Sequence, residues 1–287
     1  MTIAVTGASG QLGRIVIDEL LNRTTPDRIV ALVRDGSRVS DLAERGVQVR
    51  TFDYDRPDSL PGALEGVERL LLISGNAVGQ RVPQHQAVID AATAAGVQFF
   101  AYTSVLHADT AKLLPVVPEH VETEELLAGV PFPVALLRNG WYSENYLETA
   151  QQAAENGTLV TSAKDGKVFS ATRADYAAAA AAVLAAETFE SGVYELAGDT
   201  GWSLQELAQT VAELSGKPVN VENVSSEEHR TLLRETGLPD GLVDFLVVTD
   251  AAVADGELAD PAPGTLSKLI GRPTTPLRET LAPLFRS

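Results

Sequence analysis

The chain of 287 residues contains no cysteine and a single methionine. That removes disulfides, thiol nucleophiles and thiolate metal sites from consideration. It also fits a reducing, cytoplasmic setting. Basic residues are scarce, with 22 Lys and Arg against 39 Asp and Glu and a net charge of −17. So negative a surface repels phosphate backbones and anionic lipid, so neither nucleic acid nor membrane is expected as a main partner. Aromatics amount to 6% of the chain, and no apolar run is long enough to span a bilayer. No basic leader precedes the first apolar run, and the reading is of a soluble protein.

Apolar residues make up 45% of the chain, enough for a continuous core. Short apolar runs at Ile3–Thr6, Ile29–Val33, Val47–Phe52, Leu70–Ile73, Phe99–Thr103 and Val134–Leu137 read as buried strands. Helical spacing lies between them, as at Leu12, Ile15, Val16 and Leu20. The alternation predicts an α/β fold, a doubly wound parallel sheet of Rossmann type with a smaller C-terminal α/β lobe. Residues 1–140 are expected to form the nucleotide-binding domain. Residues 141–287 would supply the remaining strands and a substrate-binding lobe over the sheet's carboxyl edge.

In the second half, Ala177–Ala182 is a run of six alanines, read as a closely packed helix because alanine is the best helix former. Thr172 with Asp175, and Ser203 with Glu206, have capping-box spacing. Val193–Leu196 reads as a strand. Helices are expected at Glu227–Glu235, Leu238–Val248, Leu266–Ile270 and Leu277–Leu284. Asp250–Gly264, acidic and containing Pro261 and Pro263, reads as a loop.

The first strand runs into Thr6-Gly7-Ala8-Ser9-Gly10-Gln11-Leu12-Gly13, which opens a helix. Gly7 permits a tight turn, Gly10 lets backbone approach a pyrophosphate, and Gly13 allows close helix–strand packing. Free N–H groups at the positive helix end then hold the anion. About 20 positions on, where NAD enzymes carry an acid, Arg34 stands with Arg38 close by. A cation there suits a 2′-phosphate, favouring NADPH over NADH; the other reading pairs Arg34 with the adjacent Asp35. Asp53 is either an acceptor for the adenine amine or a turn residue. Ser74, Gly75 and Asn76 end the fourth strand, where small residues let a cofactor cross the sheet edge.

Several motifs carry a more specific likeness. Arg34, Ala101-Tyr102-Thr103-Ser104, Leu137-Arg138-Asn139-Gly140-Trp141-Tyr142-Ser143-Glu144-Asn145-Tyr146 and Ala171-Thr172-Arg173-Ala174-Asp175-Tyr176 resemble the atypical, NmrA-like branch of the short-chain dehydrogenases. Within it they look like the flavin-free NAD(P)H:quinone oxidoreductases, as do Val78-Gly79-Gln80-Arg81 and Tyr194-Glu195-Leu196-Ala197-Gly198-Asp199. A triphenylmethane-dye reductase is the next relative. The resemblance implies NADPH as cofactor without flavin or metal, a quinone as substrate, and Thr103 and Ser104 beside the cofactor. It also implies that Tyr142, Ser143, Glu144 and Asn145 meet the substrate.

The Tyr-x-x-x-Lys pair of most short-chain dehydrogenases is missing. Aligning Glu124 with the acid that often follows it puts Val116 in the tyrosine slot and His120 in the lysine slot. A simple ketone reduced by hydride becomes a strongly basic alkoxide that needs a poised acid. A quinone becomes a hydroquinone anion that water can protonate. The missing pair therefore favours quinones or cationic dyes and assigns no protein residue a catalytic role. It leaves open an NADP-sensing binding protein without chemistry.

Three details stay with alternatives. His120 and Glu124, four apart, read as a polar pair on a helix face, a general acid, or two metal ligands without a visible third. His85, His107 and His229 read as scattered polar residues, or, for His107, which follows a strand end, as a residue bordering the site. Arg173, in the first turn of its helix, opposes the macrodipole and calls for either a ligand or a carboxylate partner such as Asp175. Trp141 and Tyr146 read as core.

Overall fold

A computed structural model describes every residue except Val78, Phe189, Glu190, Pro261 and Ser287. Pro261 of the expected loop and Val78 of the Val78–Arg81 motif therefore lie outside the described residues. Strands β1 (Ile3–Val5), β2 (Ile29–Val33), β3 (Gln48–Thr51), β4 (Arg69–Leu72), β5 (Phe99–Val105), β6 (Val134–Asn139), β7 (Thr158–Thr161), β8 (Gly192–Leu196) and β9 (Asn220–Asn223) form two sheets. The larger has the order β3-β2-β1-β4-β5-β6-β8, and every pairing in it is parallel. This is the doubly wound sheet expected, with its switch point between β1 and β4.

The inner strands β1, β2, β4 and β5, covered on both faces, bury every side chain, whereas the edge strands β3 and β8 keep partly exposed ones. Phe99 and Ala101 of β5 join Leu12, Val16 and Leu20 of the helix Gln11–Leu21 on one face. Phe100 and Tyr102 join Val88, Ile89 and Ala92 of the helix Arg81–Ala95 on the other. The alanine run lies in the helix Arg173–Ala185, with Ala177–Ala181 buried against the first face. Side chains of one methyl let it approach the helix Gln11–Leu21. Both capping boxes form, Thr172 with Asp175 and Ser203 with Glu206.

The second sheet pairs β7 with β9 in parallel. Tyr146, Trp202, Leu207, Val211, Ala252, Val253 and Leu281 form a separate core beneath it, which also takes in Val105 and Leu114 from the first half of the chain. β7, β9 and the helix Leu147–Asn156 were not anticipated. The helix buries alanines (Ala150, Ala153, Ala154), which give little hydrophobic contrast, and the two strands are four residues each.

The loop expected at Asp250–Gly264 is corrected. The helix Asp240–Asp255 runs through its first six residues and stops at Gly256, whose φ is +85°. Asp250 remains helical because its carboxylate serves the neighbouring β7, accepting from the Thr161 hydroxyl at 2.8 Å and the Ser162 N–H at 2.7 Å. Leu277–Leu284 divides into an α-helix to Leu281 and a 3-10 turn, Ala282–Phe285, where Pro283 lacks an N–H to continue the ladder. No helix among the described residues is long and apolar enough to cross a membrane.

Candidate functional site

The carboxyl ends of β1, β4, β5 and β6 form one rim, at the position where ligands of such sheets bind. Gly7, with φ +58°, turns the chain off β1. Gly10 N–H closes onto the Gly7 carbonyl at 2.9 Å, and Ala8 N–H onto the Leu32 carbonyl of β2 at 3.3 Å. A Cβ on Gly13 would lie 2.3 Å from the Gly7 oxygen, so no other residue fits there. The N–H groups of Gln11, Leu12 and Gly13 find no acceptor among the described residues and face outward from the helix start.

Arg34 lies just past β2, exposed and forming no ion pair among the described residues. The suggested pairing with Asp35 is not made. Asp35 accepts instead from the Ser37 N–H at 3.0 Å and hydroxyl at 2.7 Å, and these bonds hold its carboxyl below the usual range. Nearby, the Tyr54 hydroxyl is buried without a hydrogen-bond partner, and burial pushes its pKa up to about 12. Asp53 accepts from the Asp55 N–H at 3.2 Å, a turn contact.

Loop 74–76 is pinned from below. Ser74 N–H donates to the Thr103 hydroxyl at 2.8 Å, Gly75 N–H to His85 Nε2 at 3.0 Å, and Arg81 Nε to the Gly75 carbonyl at 2.8 Å. His85 is therefore not a scattered polar residue. It is fully buried with both nitrogens engaged, Nδ1 lying 3.0 Å from the Thr123 hydroxyl. Since Nε2 accepts, Nδ1 carries the hydrogen. Burial, reinforced by the nearby Arg81 charge, lowers the His85 pKa to about 3. His229 is likewise buried, between Ser162 and Asp250.

Thr103 and Ser104 part company because strand side chains alternate. Thr103 faces loop 74–76. Ser104 turns to the opposite face and donates to Glu124 at 2.5 Å. Glu124 grips Arg138 with both oxygens, at 3.0 and 2.7 Å, and Arg138 reaches Glu195 at 2.8 Å and Asp109 at 3.1 Å. The hydrogen bond to Glu124 raises the pKa of Arg138. Glu124 and His120 thus do not pair with one another. His120 Nδ1 lies 2.7 Å from the Tyr102 hydroxyl, and burial lowers the His120 pKa to about 3. An imidazolium general acid is not populated there. Among the described residues no group of three or more His, Asp or Glu is arranged to hold a metal ion.

Beyond β6, Tyr142 pairs with Ala171 in an isolated bridge, and Arg173 stacks over the Tyr142 ring. The carboxylate partner of Arg173 is Glu144, not Asp175. Glu144 accepts from the Arg173 N–H at 2.9 Å and lies 3.6 Å from its guanidinium, which also reaches Asn145 Oδ1 at 3.2 Å. Asp175 is fully buried, taken up by Thr172, Thr275 and Arg272. Ser143 is also buried. It turns inward to Ser170 at 2.8 Å, leaving Tyr142, Glu144, Asn145 and Arg173 as the outward cluster. Tyr146 is core, edge-on to Trp202, and Trp141 is half-buried against Phe245.

Sequence reasoning missed Asn139. It ends β6 nearly buried, and its Oδ1 has no hydrogen-bond partner among the described residues. The signal was present: a polar residue closing an apolar strand at the ligand-binding edge. A dinucleotide suits this rim at three points: unmet donors at the helix start, an unpaired cation at Arg34, and an orphaned acceptor at Asn139.

Fold and rim together define a Rossmann-type dinucleotide-binding protein. The chain belongs to the NmrA-like family, whose model matches residues 1–273. It is 52% identical to quinone oxidoreductase 2 of Escherichia coli over 283 residues, 99% of this chain and 98% of that one. The crystal structure of the E. coli NADPH-dependent quinone oxidoreductase complexed with NADPH superposes with a TM-score of 0.95 at 51% identity, covering 99% and 100% of the two chains. That of Citrobacter triphenylmethane reductase gives 0.94 at 38% identity, covering both chains fully.

Proposed function

We propose that this protein is an NADPH-dependent oxidoreductase that reduces quinones by direct hydride transfer, without flavin, metal or a tyrosine–lysine proton relay. The observation that carries it is Arg34, exposed and unpaired beside a helix start whose first N–H groups have no acceptor. Those donors would hold the pyrophosphate, and Arg34 the 2′-phosphate. Likeness over the full length to an NADPH-dependent quinone oxidoreductase supports the same reading.

When bound, NADPH supplies a hydride: its C4–H bond breaks, an O–H bond forms on one quinone oxygen, and the electron pair collects on the opposite oxygen. Water then protonates that phenolate-like oxygen. The chain's own residues position the partners and exclude water. Loop 74–76, fixed by Thr103, His85 and Arg81, forms one wall of the rim. Tyr142, stiffened by Arg173, offers a flat aromatic surface for the acceptor, with Glu144 and Asn145 beside it. Residues 141–287 contribute this wall and the lobe behind it. Rate comes chiefly from holding acceptor and cofactor in reacting geometry.

The test is turnover of purified protein with NADPH or NADH against 1,4-benzoquinone, a cationic triphenylmethane dye and a simple ketone. Quinone reduction with NADPH preferred is expected. Tight NADPH binding with no turnover of any acceptor would make the protein a sensor. Brisk ketone reduction would mean that a proton donor exists.

A further inference from the structure

The basic side chains around the rim are nearly all committed. Arg81 holds Gly75 and pairs with Glu119 at 3.1 Å. Arg138 is shared among Glu124, Glu195 and Asp109, and Arg173 between Glu144 and Asn145. Both nitrogens of His85 are engaged, and His107 Nε2 lies 2.8 Å from the Ala259 carbonyl. His120 differs. Its Nδ1 faces the Tyr102 hydroxyl, while Nε2 has no hydrogen-bond partner among the described residues. Nor is Nε2 sealed in the interior, where the side-chain atoms without a hydrogen-bond partner among the described residues are Tyr54 Oη, Asn139 Oδ1 and Glu144 Oε2. His120 stands in the first turn of the helix Val117–Leu127, against Tyr102 midway along β5 and close to Arg81 and His85, which hold loop 74–76 through Gly75.

We propose that the Nε2–H of a neutral His120 donates a hydrogen bond to the acceptor oxygen on which negative charge collects, and that Tyr102 is the positioning residue fixing the tautomer. The inference rests on the quinone-reductase reading. Tyr102 is fully buried, so its hydroxyl proton needs an acceptor, and Nδ1 lies 2.7 Å away. Donation to Nδ1 leaves the hydrogen on Nε2. Burial disfavours both phenolate and imidazolium, so the pair stays neutral. The charged groups facing it are already balanced, Arg81 by Glu119 and Glu124 by Arg138.

A fixed neutral donor in a partly dry site stabilises an oxyanion without giving up its proton. The final proton still comes from water, so a donor at His120 is compatible with the missing tyrosine–lysine pair. It gives the histidine in that slot a task which a scattered polar residue would not have.

Stopped-flow mixing of NADPH-loaded protein with 1,4-benzoquinone tests this directly, and the lack of cysteine removes thiol adducts as a background. H120A should slow hydride transfer by about 100-fold, the lower end of the range for loss of one oxyanion donor. NADPH affinity should change by less than about two-fold, because the donor serves the acceptor. H120Q, which places an amide N–H near Nε2, should recover most of the rate. H120F fills the space without a donor and should match H120A, which covers a folding defect in the smaller variant. Y102F should cost about five-fold by freeing the tautomer. A wild-type rate in H120A and H120F would overturn the proposal, as would a loss explained wholly by weaker NADPH binding. A wild-type protein without quinone turnover would instead defeat the underlying functional reading.

Discussion

The guanidinium carbon of Arg173 lies 4.4 Å from the centroid of the Tyr142 ring, held there by Glu144 and Asn145. A cation at the first turn of a helix opposes the macrodipole, and here the Glu144 carboxylate and the aromatic face offset that cost. The stack turns a mobile tyrosine into a fixed wall. R173A should raise KM for quinone by about five-fold with a smaller effect on NADPH affinity, since a partly desolvated cation–π contact contributes about 1 kcal/mol. R173K, which keeps charge but not the planar stack, should recover only part. Steady-state kinetics with each substrate varied in turn measures the split.

Arg34 forms no ion pair among the described residues, so its removal breaks no structural contact of that kind. R34A should weaken NADPH binding by about 10- to 100-fold, the value of one to two charge-assisted hydrogen bonds, while NADH binding stays nearly constant. Fluorescence titration with both cofactors checks the ratio. Equal loss for both would remove Arg34 from the 2′-phosphate site.

Gly13 has the Gly7 carbonyl in the place its Cβ would occupy, and backbone cannot swing aside as a side chain can. G13A should destabilise the fold by about 1–3 kcal/mol and open the glycine loop. A lower Tm together with at least ten-fold weaker NADPH binding is the expected result.

Glu124 and Arg138 are both almost buried, with their side chains 11% and 8% exposed. Breaking such a pair leaves an uncompensated charge, at a cost of about 3–5 kcal/mol. E124A should therefore lower urea stability by that order, moderated by the bonds Arg138 keeps to Glu195 and Asp109. E124Q should cost less, since its amide oxygen still accepts from Arg138.

His85 and His120 have folded pKa values lowered to about 3, against an ordinary value of 6.5. A depressed pKa means that the unfolded chain binds protons first. The stability from burying each ring neutral is complete above pH 6.5 and is lost as pH falls towards 3. Between about pH 5.5 and pH 4, each should contribute a slope approaching about 1.4 kcal/mol per pH unit. H120Q should remove one of the two contributions, measured by urea denaturation across that window.

The inner strands of the main sheet were legible because both their faces are buried, and the glycine loop because only glycine tolerates its geometry. The capping boxes at Thr172 and Ser203 were readable from local hydrogen-bond chemistry alone. Asp250 was misread for the opposite reason. An acidic residue looks like loop until a distant partner, here the Ser162 N–H, satisfies it within a helix. Ser143 and Ser104 followed the same pattern, since a polar tip in sequence says nothing of which way it turns.

What the chain determined without folding was periodicity, turn geometry and the kinds of chemistry present: a Rossmann sheet, a glycine-rich loop opening a helix, a cation where NAD enzymes carry an acid, and no tyrosine–lysine pair. Those properties are encoded in residues adjacent along the backbone. Partnerships between residues far apart in sequence were decided only by tertiary structure. Arg173 took Glu144 rather than Asp175, His120 took Tyr102 rather than Glu124, and Asn139 was left with an unmet acceptor at the rim. A hydrogen bond depends on distance and direction within a fraction of an ångström, and only the packed sheet and helices set those.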